Sequence, residues 1–210
     1  PGSWPDVYTM VKAAMRYQLE DVGTGERGLV RIRTSDWADG LTGDSGNEPA
    51  THEDGESTFT TGLAVWVYPM VRELALRQGD SELAGRLEAA TTSLRTELMD
   101  EFKDGKFNRA YLINGAGEVV NFGRDVFWAE SNAFGLLPEK LLTPAQLQSM
   151  LSLIENTPDL ITPLGLNITG PTTAMGPTNV KPGNTTWYSL NGAFIRGLGQ
   201  YATQADPAYA

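Results

Sequence analysis

The chain has 210 residues, 40% hydrophobic and 20% charged, a balance typical of a globular protein, with a net charge of −10 and no cysteine. So acidic a composition argues against a nucleic-acid surface built on clustered Lys and Arg, and the lack of Cys excludes disulfides, zinc–thiolate sites and thiol catalysis. No run of about 18 apolar residues occurs, so no membrane-spanning helix is expected, and the chain reads as soluble, without a signal peptide and with no compartment marked.

From Ser3 to about Glu20, residues Val7, Met10, Val11, Ala14 and Met15 recur at helical spacing, and Pro5 suits a first turn. The stretch GLVRIRTSDWADGLTGD follows, from Gly28 to Asp44, with Arg31 and Arg33 ahead of Asp36, Trp37 and Asp39. A loop rich in Gly, Asp, Asn and Glu is expected from about Asp36 to Ser57. At about twenty residues it exceeds an ordinary connection, and loops of that length tend to carry function.

Thr58 to Gln78 reads as a second helix, ended by Gly79 in a capping position. Its middle, Leu63 to Tyr68, is apolar all round, so burial on most sides is expected. Asp80 or Ser81 caps a third helix, on which Leu83, Leu87, Leu94, Leu98 and Phe102 form one stripe and the charges lie elsewhere. An enclosed helix followed by an amphipathic outer one is an αα-hairpin, the repeating unit of a two-layered helical ring. Phe107 to Val120 reads as a short β-hairpin turned at Asn114-Gly115. Two more helices are expected, from about Val126 to Leu137 and from Thr143 to Asn156. The second opens on the capping box Thr143-Pro144-Ala145-Gln146. A Gly/Pro/Thr loop then runs from Thr157 to Thr186, and a last helix from Trp187 to about Gln204 carries Leu190, Phe194, Ile195, Leu198 and Tyr201. With about six helices and no strong strand alternation, the class is mainly α.

Five segments in this order resemble a known family. SDWADGL, beginning at Ser35, is similar to the DWND-type motif of the cellobiose-phosphorylase-like enzymes, which belong to the (α/α)6 six-hairpin glycosidases. DGES before the apolar helix, GKFNRAY from Gly105, VFWAESNAFGLL from Val126 and NTTWYSLNGAFIRGL from Asn184 follow in the family's order. The resemblance implies an enzyme that cleaves glycosidic bonds of oligosaccharides with inversion. It implies Asp39, two residues after the motif tryptophan, as proton donor, with Trp37 lining the sugar site and Asp36 in support. The family's ring has twelve helices, so the resemblance also implies that residues 1–210 are a single domain forming the C-terminal half of a catalytic domain. The rest would lie on the missing half of the toroid or on a second chain. The phosphate-binding histidine that the phosphorylases carry before their TWY segment has no counterpart in GPTNVKPGNTTWY, and the one histidine of the chain is His52. Hydrolysis is therefore expected ahead of phosphorolysis. Inorganic phosphate would be a co-substrate only of a phosphorylase, and no other cofactor is expected.

Inverting cleavage needs a protonated carboxyl at the leaving oxygen and an activated nucleophile on the opposite face of the sugar. Burial of Asp39 against the Trp37 indole would raise its pKa and keep it protonated; loop aspartates also commonly do no more than bond their own turn. Glu130 stands among aromatics at the start of an apolar helix, where an unpaired charge is costly. It reads equally as the second catalytic carboxylate and as a structural acid paired to Arg124 or Arg109. Glu56 is the rival for the second carboxylate, but reads rather as an acid at a helix N-terminus, serving the helix dipole. Trp37 and Trp187, at loop junctions, offer flat faces to sugar C–H groups, with Tyr188 beside the second, whereas Trp66 reads as core. Arg31, Arg33 and Lys181 are cations for a phosphate or a sugar hydroxyl, and the arginines equally read as partners of nearby acids. One histidine among scattered acids is a poor ligand set, so no metal is expected. A non-catalytic glycan-binding or interaction module is the reading from another class.

Overall fold

The computed structural model describes residues 6–33, 36, 41–42, 45–170 and 186–201. Among them, seven α-helices and three small antiparallel sheets make a mainly α fold.

Helix α1 (Val7–Tyr17) starts where the Asp6 carboxylate accepts the Thr9 N–H, and it continues into one wide π turn, Gln18–Val22. Its inward stripe is Tyr8, Met15 and Leu19, packed on the main core, while Val7 and Met10 of the expected apolar face are exposed. Pro5 lies outside the described residues. The acidic loop is not continuous, because α2 (Glu48–Asp54) interrupts it. Asn47 caps this helix by accepting the Ala50 N–H, and Pro49 sits in its first turn. The buried Thr51 hydroxyl bonds both the N–H and the carbonyl of Ile113, which stitches α2 to the sheet.

Strand β1 (Glu56–Ser57) leads into α3 (Thr58–Arg77), and α4 (Ser81–Asp100) returns after a turn in which Gly79 has φ 75°. On α4 the buried side chains are Leu83, Ala84, Leu87, Leu94 and Leu98, as the spacing predicts. Phe102 lies beyond that helix, in β2 (Phe102–Lys103). On α3 the burial expected from Leu63 to Tyr68 holds for Ala64, Val65 and Tyr68, while Leu63 and Val67 are half-buried; the first turn, from Thr58 to Gly62, is buried throughout. Trp66 is only half-buried as well, and farther on Pro69, Met70 and Leu76 are exposed.

Strand β2 pairs with β3 (Lys106–Phe107). Strand β4 (Ala110–Ile113) lies between β1 and β5 (Val119–Phe122), in the register Ala110↔Phe122 and Ile113↔Val119. The β4–β5 turn is wider than the Asn114-Gly115 turn expected. Asn114 Oδ1 gathers the N–H groups of Ala116 and Glu118, and Gly117 takes the left-handed φ of 81°. Helix α5 (Ala129–Leu136) begins later than expected because Phe127 and Trp128 stay extended; Trp128 bridges to Thr169 and the Ala129 N–H bonds the Ile168 carbonyl at 2.7 Å. Helix α6 (Pro144–Asn156) opens on the expected capping box of Thr143 and Gln146. A hairpin of β6 (Ile161–Thr162) and β7 (Gly165–Leu166) lies within the Gly/Pro/Thr stretch, and α7 (Tyr188–Gly199) ends before the expected Gln204.

Helix α5 packs on α3 and on α7, and the three helices share a device at their N-termini. One turn in from each N-cap, a polar side chain donates to the N-cap carbonyl and also accepts an N–H from the preceding loop or hairpin. Thr61 Oγ1 bonds the Ser57 carbonyl at 2.7 Å and the Val30 N–H at 2.9 Å. Asn132 bonds the Trp128 carbonyl at 2.7 Å and the Phe107 N–H at 2.9 Å. Asn191 bonds the Trp187 carbonyl at 3.0 Å and the Leu166 N–H at 2.7 Å. Each loop is thereby fixed over the start of its helix, where backbone donors otherwise lack partners. Close approach completes the arrangement: a Cβ at Gly135 would meet the Phe107 ring at 2.4 Å.

Candidate active site

Three charges meet in the interior beside the first turns of α3 and α5: Glu130 on α5, Arg109 between β3 and β4, and Asp36. Arg109 follows β3, and its carbonyl accepts the Thr58 N–H at the start of α3. Its guanidinium makes two parallel bonds to Asp36, from Nη1 to Oδ2 at 2.9 Å and from Nη2 to Oδ1 at 2.5 Å. The remaining donor, Nε, reaches Glu130 Oε2 at 2.7 Å. The side chains of Arg109, Asp36 and Glu130 are 0%, 2% and 1% exposed. The fork of Arg suits two carboxylates at once, since five N–H donors lie in one plane. The Phe59 ring faces the guanidinium at 5.6 Å.

Ser57 extends this chain of bonds. Its hydroxyl donates to Asp36 Oδ2 at 2.5 Å while accepting the Thr60 N–H at 3.1 Å, so the N-cap of α3 and the ion triad are one network. Burial pushes the Glu130 carboxyl above the usual carboxylate range; Arg109 opposes that rise and the neighbouring Asp36 charge adds to it. Burial alone would lower the Arg109 value, but Asp36 and Glu130 outweigh it and hold the guanidinium charged. Gly123, at φ 82°, lets Arg109 and Trp128 approach the chain, because a Cβ there would lie 2.6 Å from both side chains.

Glu56 does something the sequence did not announce. It is buried, and rather than serving the dipole of α3 its Oε1 accepts the N–H groups of Arg27 and Leu29 at 3.0 and 3.3 Å. Oε2 takes the Arg27 guanidinium at 3.3 Å. Burial raises its pKa and these donors oppose the rise. It pins the loop that leads towards Asp36.

The other expected residues are placed as follows. Asp39, Trp37 and Lys181 lie outside the described residues. Arg33, at φ 44°, is ion-paired to Glu53, the partnership with a nearby acid that its position allowed. Glu130 takes the Arg109 partnership, while Arg124 pairs instead with Glu101 at 2.8 Å. Trp187 is half-buried as the N-cap of α7 and packs on the core, whereas Tyr188 is 74% exposed. Trp66 is half-buried, under the Arg196 guanidinium at 5.5 Å, rather than enclosed in the core. His52 contacts the Thr42 hydroxyl at 3.1 Å, and among the described residues no cluster of His, Asp and Glu could hold a metal ion.

Unmet hydrogen-bond capacity gathers at this same end. Among the described residues, the buried side-chain atoms without a partner are Thr58 Oγ1 and Thr60 Oγ1 on the first turn of α3, Asn108 Oδ1 beside Arg109, Trp128 Nε1 at the α5 N-cap, and Nε of Arg31 and Arg33. Sequence reasoning had not marked Asn108, Thr58 or Thr60. Asn108 lies inside the GKFNRAY segment, and Thr58 and Thr60 directly follow DGES, which was the available signal.

Residues 4–185 match the model of the family described as "Glycosyl hydrolase 94 superfamily, catalytic domain". No curated protein matches the chain.

Proposed function

The chain belongs to the glycosyl hydrolase 94 superfamily, and on that premise we propose that it cleaves glycosidic bonds of oligosaccharides with inversion, by hydrolysis. The superfamily is one of glycoside hydrolases and phosphorylases, which points to an oligosaccharide substrate. The observation that carries the reading here is the placement of Asp36. A buried guanidinium grips the residue that begins the Asp36-to-Asp39 stretch, at the end where partnerless polar atoms collect. Buried unsatisfied groups are rare in native proteins, and where they cluster a functional cause is called for.

Asp39 is the proton donor in this reading, and Trp37, Trp187 and Tyr188 are the sugar contacts. Arg33, bound to Glu53, borders the site. The carboxylate of Glu130 is closed from solvent and engaged by Arg109, which fits support of this end better than activation of water. Residues 1–210 make about half of an (α/α)6 toroid, with α3, α5 and α7 as inner helices and α4 and α6 as outer ones. The exposed Met70 on α3 and Ile195 on α7 would face the missing half or a second chain. Among the described residues no helix is long and apolar enough to cross a membrane.

Incubation with β-linked gluco-oligosaccharides, with and without inorganic phosphate, tests the reading. The expected result is free sugar in both conditions, abolished by Asp39→Asn while sugar binding persists. Sugar 1-phosphate formed only with phosphate would replace hydrolysis by phosphorolysis. Sugar binding with neither product would make this a glycan-binding module.

A further inference from the structure

We infer that a cavity between the β2–β3 hairpin, α6 and the segment before α5 binds a single sugar ring, in a site that shares no residue with the Asp36–Arg109–Glu130 network. The ammonium of Lys106 is its donor, and Asp125 and Thr157 are its acceptors. The ligand class follows from these groups and not from the cleavage proposed above, so the two can fail separately.

An unmatched charge stands at the centre of the site. Lys106 is 8% exposed, and among the described residues no hydrogen bond or ion pair engages its ammonium. A buried charge without a partner is costly, and one kept in a native fold calls for a cause. The hairpin adds to the cost, because Lys103 lies directly opposite Lys106 in the β2–β3 register and like charges so placed repel. The chain is held on both sides of Lys106. The Phe107 N–H bonds Asn132 at 2.9 Å, and Gly105, at φ 76°, packs so closely on α6 that a Cβ there would lie 2.7 Å from the Ser149 carbonyl oxygen.

Lys106 lines a cavity of about 300 Å³ with Asp125, Phe127, Leu153, Thr157 and Pro158 among others. That volume is at the lower bound of small-ligand sites, about 300–1,000 Å³, and suits one ring rather than a chain. Its polar groups decide the class. The Asp125 carboxylate only accepts. The Thr157 hydroxyl spends its hydrogen on the Leu153 carbonyl at 2.6 Å, so towards a ligand it too accepts. Nearby backbone donors are occupied, the Thr157 N–H by the Ile154 carbonyl and the Gly170 N–H by the Phe127 carbonyl. One ammonium facing two acceptors matches adjacent hydroxyls, each of which donates and accepts. Phosphate, which needs several donors, meets only one here and is repelled by Asp125. Phe127, Leu153 and Pro158 offer an apolar wall to the C–H face of the ring.

An NMR titration of the isotope-labelled chain tests this. The probes are methyl β-glucoside, methyl β-galactoside, methyl β-mannoside and, separately, inorganic phosphate. The amides of Lys106, Phe127 and Gly170 are followed against those of Ser57, Arg109 and Glu130. At least one glycoside is expected to shift the cavity amides, and phosphate to leave them in place. Lys106→Met, similar in length and uncharged, should weaken that response about tenfold or more, through loss of a charged hydrogen bond. Its Tm should hold or rise, since an unmatched buried charge is gone. Asp125→Asn, at an exposed position, should weaken the response to a smaller degree, and it carries the test if Lys106→Met does not fold.

Unchanged sugar binding with a lower Tm in Lys106→Met would make the lysine structural and overturn the inference. Phosphate moving the cavity amides while no glycoside does, or shifts confined to Ser57, Arg109 and Glu130, would overturn it too, as would no response to any glycoside. A chain that cleaves nothing yet shows Lys106-dependent shifts keeps this site and loses the proposed cleavage. An active chain without those shifts does the reverse.

Discussion

At its N-terminal end, α3 meets a dry polar network: Ser57, Asp36, Arg109 and Glu130 bond one another, with the three charged side chains at most 2% exposed. Farther along the same helix, polar and charged groups keep to water. There a groove of about 960 Å³ opens, lined by Trp66, Met70, Arg95, Leu137, Lys140 and Arg196 among others. Arg196 lies across the half-buried Trp66 ring, and Arg95 donates to the Glu139 and Lys140 carbonyls at 2.8 and 3.0 Å while remaining accessible. The contrast is one of dielectric. In the interior a charge must be matched group for group, and losing one partner strands the others. At a wet groove a long cation covers apolar surface with its stem and keeps its head solvated, so its loss is mild.

The first way to break this comparison is Arg109→Met, which leaves Asp36 and Glu130 buried with no cation between them. A destabilisation of about 3–5 kcal/mol is expected in urea unfolding, and a value under about 1 kcal/mol would show that water reaches the triad. Next is Asn132→Ala, which strands the buried Phe107 N–H and removes one of the donors to the Trp128 carbonyl. About 2–3 kcal/mol is expected by the same measurement. Gly135→Ala should cost about 1–3 kcal/mol through collision with the Phe107 ring, visible as a lower Tm.

A pH series sharpens the comparison at the far end of α3. Asp80 caps α4 by accepting the Leu83 N–H, and it accepts as well from Tyr8 on α1 and pairs with Lys12. Lys12 first, then these N–H and O–H donors, hold its carboxyl down to about 2. A depressed carboxylate contributes stability that is fully present above its unfolded value of about 3.9 and fades as pH falls through the folded one. Thermal melts between about pH 5 and pH 2 should therefore show a decline that is smaller in Asp80→Asn; an identical decline would assign the acid sensitivity to other groups. Smallest of all is Met70→Gln in the groove, expected within about 0.5 kcal/mol of the parent. A larger loss would mean that the groove is covered in solution.

Features coded within a turn or two were legible in the chain. The capping box of α6, the Leu stripe of α4 and the Gly79 turn each depend on neighbours in sequence, and each is where the pattern put it. Helix α2 carries start signals in Asn47 and Pro49, but the acidic and glycine residues around it read as loop. The β4–β5 turn is wider than Asn114-Gly115 predicts, since Asn114 offers its side chain as well as its backbone to the turn.

The family, the mainly α class and the candidate motifs followed from residue order, because helix periodicity, caps and motif spacing are one-dimensional. Which arginine meets Glu130 did not. Arg109 and Arg124 were equal candidates by spacing, and packing gave Glu130 to the first and Glu101 to the second. That Asp36 would be gripped by a residue 73 positions away, and Glu56 by the Arg27 loop, depended on the sheet and the α3 and α5 termini closing over them. Periodicity fixes which face of an element is apolar. The partner of a buried charge is settled only when several elements exclude water together, and that is a property of the assembled interior.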